Sequence, residues 1–206
     1  MMMTMKKSLL LHKTQEVEVE KDTAMNSYTT ASVVDIFRSR ISWLMILMLS
    51  ATVTGAIINH FENQLAAQVA LTAFIPMLMD TGGNCGSQSS VTIIRSLSLG
   101  ELTCGDWMYV LWKELRVSLL CGAALALVTF ARIIFFNHQS VVVALVVALS
   151  LIVTVITSKL IGGLLPMAAW KLGMDPAVMA SPLITTVVDA TSLWTFFQVA
   201  CWLLPI

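Results

Sequence analysis

Two acidic residues sit in stretches otherwise apolar enough to be buried in a membrane. Asp189 lies within Ser181-Pro-Leu-Ile-Thr-Thr-Val-Val-Asp-Ala-Thr-Ser192, thirteen residues past Pro176, which is roughly 20 Å along a helix. A carboxylate at that depth costs at least roughly 2.5–3.5 kcal/mol. A proton, a basic partner or a cation must offset the cost. No lysine or arginine is expected at the same depth, which favours a cation or a protonated acid over a structural ion pair. Thr185 lies one turn before Asp189 on the same helix face, and Thr186 and Thr191 flank it. A hydroxyl-lined face beside a carboxylate suits a wet path, although hydrogen bonding between helices accounts for each threonine taken singly.

The second acid, Asp80, belongs to Pro76-Met-Leu-Met-Asp-Thr-Gly-Gly-Asn-Cys-Gly-Ser-Gln-Ser-Ser90. It lies one turn before Asn84, where it either faces the same path or caps a polar break. Gly82, Gly83, Asn84, Gly86 and Gln88 form a compact polar patch. Glycines allow helices to approach closely. Carbonyls freed in such a patch, as at Gly83, and the Asn84 amide are hard oxygen ligands, suited to Mg2+, Ca2+ or the waters around them. Lipid tolerates this segment only where protein or a water-filled path covers it. It is not a phosphate loop: no strand precedes it and no Gly-Lys-Ser/Thr follows. A lone Gly55 and the pair Gly162-Gly163 have no polar company and read as helix-packing positions.

The elements that position these residues follow from composition. Of 206 residues, 57% are hydrophobic and 12% charged, about half the charge of a soluble domain. The fold class is an all-α membrane protein. Apolar spans are expected at residues 41–59, 65–98, 115–136, 141–170 and 177–204. Residues 100–112 form a polar connector rich in interfacial aromatics, and Asn137, His138 and Gln139 form a turn. Residues 1–34 read as a disordered cytoplasmic tail and 35–206 as a transmembrane domain. The run after Lys7 is too short for a signal peptide. Five spans put the termini on opposite sides. With the N-terminus inside, Lys6, Lys7, Lys13, Lys21, Arg38, Arg40, Arg95, Lys113, Arg116 and Lys171 collect on one side. Lys159 would snorkel to that inner interface.

Other chemistries find little support. A net charge of zero argues against nucleic-acid binding. Cys85, Cys104, Cys121 and Cys201 form no metal or redox pattern. His12, His60 and His138 have no partners in the sequence and read as solvated. No enzyme activity and no catalytic residue is expected.

Pro76-x5-Gly82-Gly83-Asn84-x-Gly86-x-Gln88 resembles the signature of the MgtE family of magnesium channels and transporters. A second match is Asp175-Pro176, then Pro182 and Thr185-Thr186-x-x-Asp189. The resemblance covers roughly residues 35–205. It implies a homodimer in a cell membrane with one ion pore between subunits. It also implies that Asp189 of each chain holds hydrated Mg2+, with Asn84 and the carbonyl near Thr185 close to the path. A twofold axis would turn one Asp189 into two carboxylates. Family members usually carry a large cytosolic sensing region. Without one here, gating by that route would need a separate cytosolic polypeptide. Glycine is frequent in the family near the positions of Ser181 and Ser192, and Asp80 is not part of its pattern. The expected function is divalent-cation transport, with a Na+- or H+-coupled exchanger as the alternative and a non-transporting scaffold as a third reading.

Overall fold

The computed structural model describes residues 31–174 and 176–204, so the N-terminal tail through residue 30, with His12, and Asp175 lie outside the described residues. The chain divides into two compact units, Met1–Ile46 and Leu47–Ile206. In the first, helix α1 (Val33–His60) begins. Ser32 caps it: its hydroxyl oxygen accepts the Asp35 amide at 3.2 Å, and its hydroxyl donates to the Asp35 carboxylate at 2.7 Å. Such a cap satisfies one of the orphan amides of a first helical turn.

The second unit continues with α2 (Glu62–Ala67), a 3-10 segment (Val69–Phe74), α3 (Ile75–Ser98), a short 3-10 turn (Cys104–Asp106), α4 (Trp107–Phe135), α5 (Val141–Lys171) and α6 (Pro176–Leu203). The described residues contain no strand. The expected single span from 65 to 98 is therefore broken. Pro76 lies in the first turn of α3, where its missing N–H costs nothing; in a longer helix it would remove an interior hydrogen bond. The connector expected over 100–112 is also shorter than the sequence suggests, because α4 starts at Trp107. Asp106 closes a capping box on the 3-10 turn that leads into it. Its carboxylate accepts the backbone N–H of Thr103 at 2.8 Å and the Thr103 hydroxyl at 2.7 Å. Trp107, Tyr109 and Trp112 consequently sit on the first turns of α4, exposed.

Two helices end alike. At the end of α3 the amide of Gly100 bonds to the Leu97 carbonyl and that of Glu101 to the Ser96 carbonyl. At the end of α5, Gly173 bonds to Trp170 and Met174 to Ala169. Both glycines have φ of 71°, the left-handed conformation that this type of helix ending uses and glycine adopts freely. The expected turn at 137–139 is present, and Ser140 then caps α5 by accepting the Val143 amide at 3.3 Å.

Helix α5 is the hub, packing against α3, α4 and α6. Its buried residues run from Val143 to Ala169. Val143, Val147, Leu151 and Val155 join Leu71, Phe74, Leu78, Phe196 and Phe197 in the main apolar core. Among the described residues four helices, α1, α4, α5 and α6, contain stretches long and apolar enough to cross a membrane. α3 is not among them. At 24 residues it is roughly 36 Å long, enough to span, but it carries the polar motif.

Candidate functional site

The site is a cavity of about 270 Å³ between α3 and α6, lined by Met79, Asp80, Gly83, Asn84, Ser87, Thr185 and Asp189. All five residues that the sequence singled out as ion-holding candidates, Asp80, Gly83, Asn84, Thr185 and Asp189, line this one space. Ser87 and Met79 were not foreseen. Ser87 stands three residues past Asn84 and so shares its face, a usable signal; nothing in the sequence marks Met79.

Glycines set how closely the walls approach. A Cβ on Gly82 would lie 2.7 Å from Val188 Cγ1, 2.9 Å from Thr154 Cγ2 and 3.1 Å from Ser192 Oγ. One on Gly86 would lie 2.7 Å from Ile184 Cγ2 and 3.1 Å from the Ser158 carbonyl oxygen. These two glycines bring α3 against α5 and α6 on the side away from the cavity. Gly83, by contrast, would place a Cβ in ordinary contact, 3.5 Å from Thr185 Cγ2. The seam also holds the hydroxyls of Ser150, Thr154, Ser158 and Ser192, buried with no hydrogen-bond partner among the described residues. Their small volume, rather than hydrogen bonding, suits them to the close contact.

On the cavity side, the Asn84 amide donates to the Asp80 carboxylate at 3.1 Å. Asp189 is half-buried and makes no hydrogen bond or ion pair with any described residue. Asp80, Asn84, Gln88, Val91 and Arg95 form an open face of α3, each exposed within the single chain. Gln88 lies on that face but does not line the cavity. What the arrangement offers is two carboxylates, an amide and two hydroxyls around a space large enough for water. Six waters at roughly 30 Å³ each need roughly 180 Å³, so the cavity has room for a hydrated ion.

Lys159 departs from expectation. It does not snorkel to an interface but is buried at 5% exposure. Its Nζ donates to Ser89 Oγ at 3.4 Å, and the Ser89 hydroxyl donates to Glu114 Oε2 at 2.6 Å. The reason is the packing of α5: the face that carries Lys159 also presents Ser158 and Gly162 to α3, so the ammonium meets Ser89 inside the bundle before it could reach an interface. The relay joins α3, α4 and α5 and was not foreseen. Its signal was Glu114, an acid at the head of an apolar run.

The glycine pair divides its work. A Cβ on Gly162 would fall on the Gly86 carbonyl oxygen of α3, whereas one on Gly163 would meet Glu114 Cγ at 3.3 Å and Val110 Cγ1 at 3.4 Å on α4. A Cβ on Gly55 would meet nothing within 4 Å, so the packing role expected for it is not found among the described residues. His60, expected to be merely solvated, is exposed but stacks on Trp194 at 6.1 Å and meets Phe61 edge-on at 4.8 Å. Arg132 reaches α3, where its Nη2 donates to Met77 Sδ at 3.0 Å.

Comparison with known proteins bears on the same residues from another direction. A family model named MgtE, described as divalent cation transporter, matches residues 75–199. A protein named magnesium transporter MgtE from Thermus thermophilus is 38% identical over 177 residues, covering 86% of this chain and 39% of its own length. Its namesake from Bacillus subtilis is 35% identical over 174 residues, covering 84% and 38% respectively. One from Enterococcus faecalis is 27% identical over 194 residues, covering 89% and 43%. The chain thus spans about two fifths of the length of these curated relatives.

Proposed function

Because the chain belongs to the MgtE family of divalent cation transporters, we propose that it moves hydrated divalent cations, Mg2+ foremost, across a membrane through a pore between two copies. The observation that carries this reading is the α3–α6 cavity, with a half-buried Asp189 that has no partner among the described residues. Magnesium dehydrates reluctantly and keeps several of its waters when bound. A carboxylate, an amide and hydroxyls around a hydrated ion grip its water shell without stripping it. Asp189 supplies the charge, while Asn84, Thr185 and the backbone at Gly83 orient the shell. Charge neutralisation also answers the cost of holding a carboxylate within hydrocarbon.

The pore lies between copies on this reading. The open face of α3 carries Asp80, Asn84 and Gln88, groups that lipid does not solvate. A second copy related by a twofold axis covers them and presents its own Asp189 to the same path. Helix α3 is then the fifth crossing, beside the four apolar ones. Placing the N-terminus in the cytoplasm puts Arg38, Arg40, Arg95, Lys113, Arg116 and Lys171 on the inner side, as the positive-inside bias requires.

The test is flux. Purified protein in liposomes is expected to pass Mg2+ down its gradient without any Na+ or proton gradient, and Asp189→Asn is expected to abolish that flux. Strict dependence on a counter-ion would replace the channel with an exchanger. Normal flux through the Asp189→Asn protein would remove Asp189 from the ion path.

A further inference from the structure

One chain contributes two carboxylates to the cavity, and that alters the ion count. This inference rests on the reading of Asp189 above and deepens it. Asp80 comes from α3 and Asp189 from α6, and both line the same space of about 270 Å³. Asn84 donates to the Asp80 carboxylate at 3.1 Å, but a neutral amide orients a carboxylate without balancing its charge. The basic side chains that reach α3 end elsewhere. Arg132 meets Met77 Sδ, and Lys159 meets Ser89, outside the cavity lining.

Two carboxylates carry the charge that one divalent cation cancels. The roughly 180 Å³ needed by six waters also fits within a single chain's cavity. A site with Asp189 alone would leave one negative charge per chain, so two chains would share one ion. We propose that Asp80 is a second ion-holding carboxylate and loads each chain with its own hydrated divalent cation, so that a two-chain pore carries two ions. Two like-charged ions in one route repel each other, which eases release from a site attractive enough to fill; conduction needs both properties.

Titration calorimetry with Mg2+ on the purified full chain in lipid nanodiscs tests this as a stoichiometry. The wild type is expected to bind one Mg2+ per chain. Asp80→Asn should bind half an ion per chain, and Asp80→Glu should return the value to one. Asp80 is exposed on its helix, so neither variant disturbs the core, and an unchanged elution volume checks their folding. Half an ion per chain in the wild type, one per chain in Asp80→Asn, or no saturable uptake by the wild type would overturn the proposal. An Asp189→Asn protein that binds like the wild type would instead overturn the reading on which it rests.

Discussion

A buried ammonium raises the question of what holds it. Among the described residues Lys159 donates only to a hydroxyl, at 3.4 Å, and that hydroxyl donates in turn to Glu114. Ser89 is therefore the joint of the relay: it accepts from the cation and donates to the acid. Ser89→Ala removes only the hydroxyl and leaves the ammonium without its acceptor. An unsatisfied buried polar group costs about 1–3 kcal/mol, and more when charged. The variant should unfold at a lower temperature in detergent. Adding Lys159→Met should recover part of the loss, because the double variant no longer buries an ammonium without an acceptor. Strictly additive losses would show that Ser89 and Lys159 act independently. Residues of this kind explain what the sequence could and could not reveal. Asp189 was legible because a carboxylate is conspicuous among apolar neighbours. Lys159 looked like an interfacial snorkel, because its destination depends on which helix lies against α5, and a single sequence does not contain that fact.

Helix spacing is set by where side chains are missing. Gly162 meets the backbone of α3 and Gly163 the side chains of α4, so adjacent residues of α5 serve two neighbours. Gly162→Ala would press a methyl group onto the Gly86 carbonyl, where backbone cannot easily give way. Overpacking of this type costs about 1–3 kcal/mol. Gly55→Ala, with nothing within 4 Å, should leave stability unchanged or slightly raised, alanine being the better helix former. Thermal unfolding followed by size-exclusion chromatography compares the two, and equal midpoints would sink the contact argument. Helix ends followed the chain's chemistry in part. Pro76 and Gly173 mark a start and a stop by rules that a reader can apply, yet the expected second span ran through Pro76 because its apolar residues continue on both sides. The connector at 100–112 misled in the opposite direction. Its aromatic and charged residues suggested a loop, whereas Thr103 and Asp106 close a capping box on the 3-10 turn that leads directly into α4.

For the whole molecule the open face of α3 is decisive. It holds Val91, 67% exposed, in line with Asp80 and Asn84; Val128 on α4 is equally open at 66%, but lies among apolar residues that lipid can cover. If a second copy covers the α3 face, Val91→Cys in a cysteine-free background should form cross-linked dimers in oxidised membranes, and Val128→Cys should not. Cross-linking through Val128 alone would move the subunit contact to another face. The same contrast has a consequence for biogenesis. The four helices with long apolar stretches have the length and composition to cross a membrane. Helix α3, with its acid, its amides and its glycines, has no comparable affinity for hydrocarbon, so on a five-crossing topology its integration must wait until α5 and α6 have been synthesised to shelter it. Ribosome-stalled chains that end shortly after Gly100 would hold α3 at the translocon, unable to commit to the bilayer, and the most hydrophilic of the long helices would be the last to find its place.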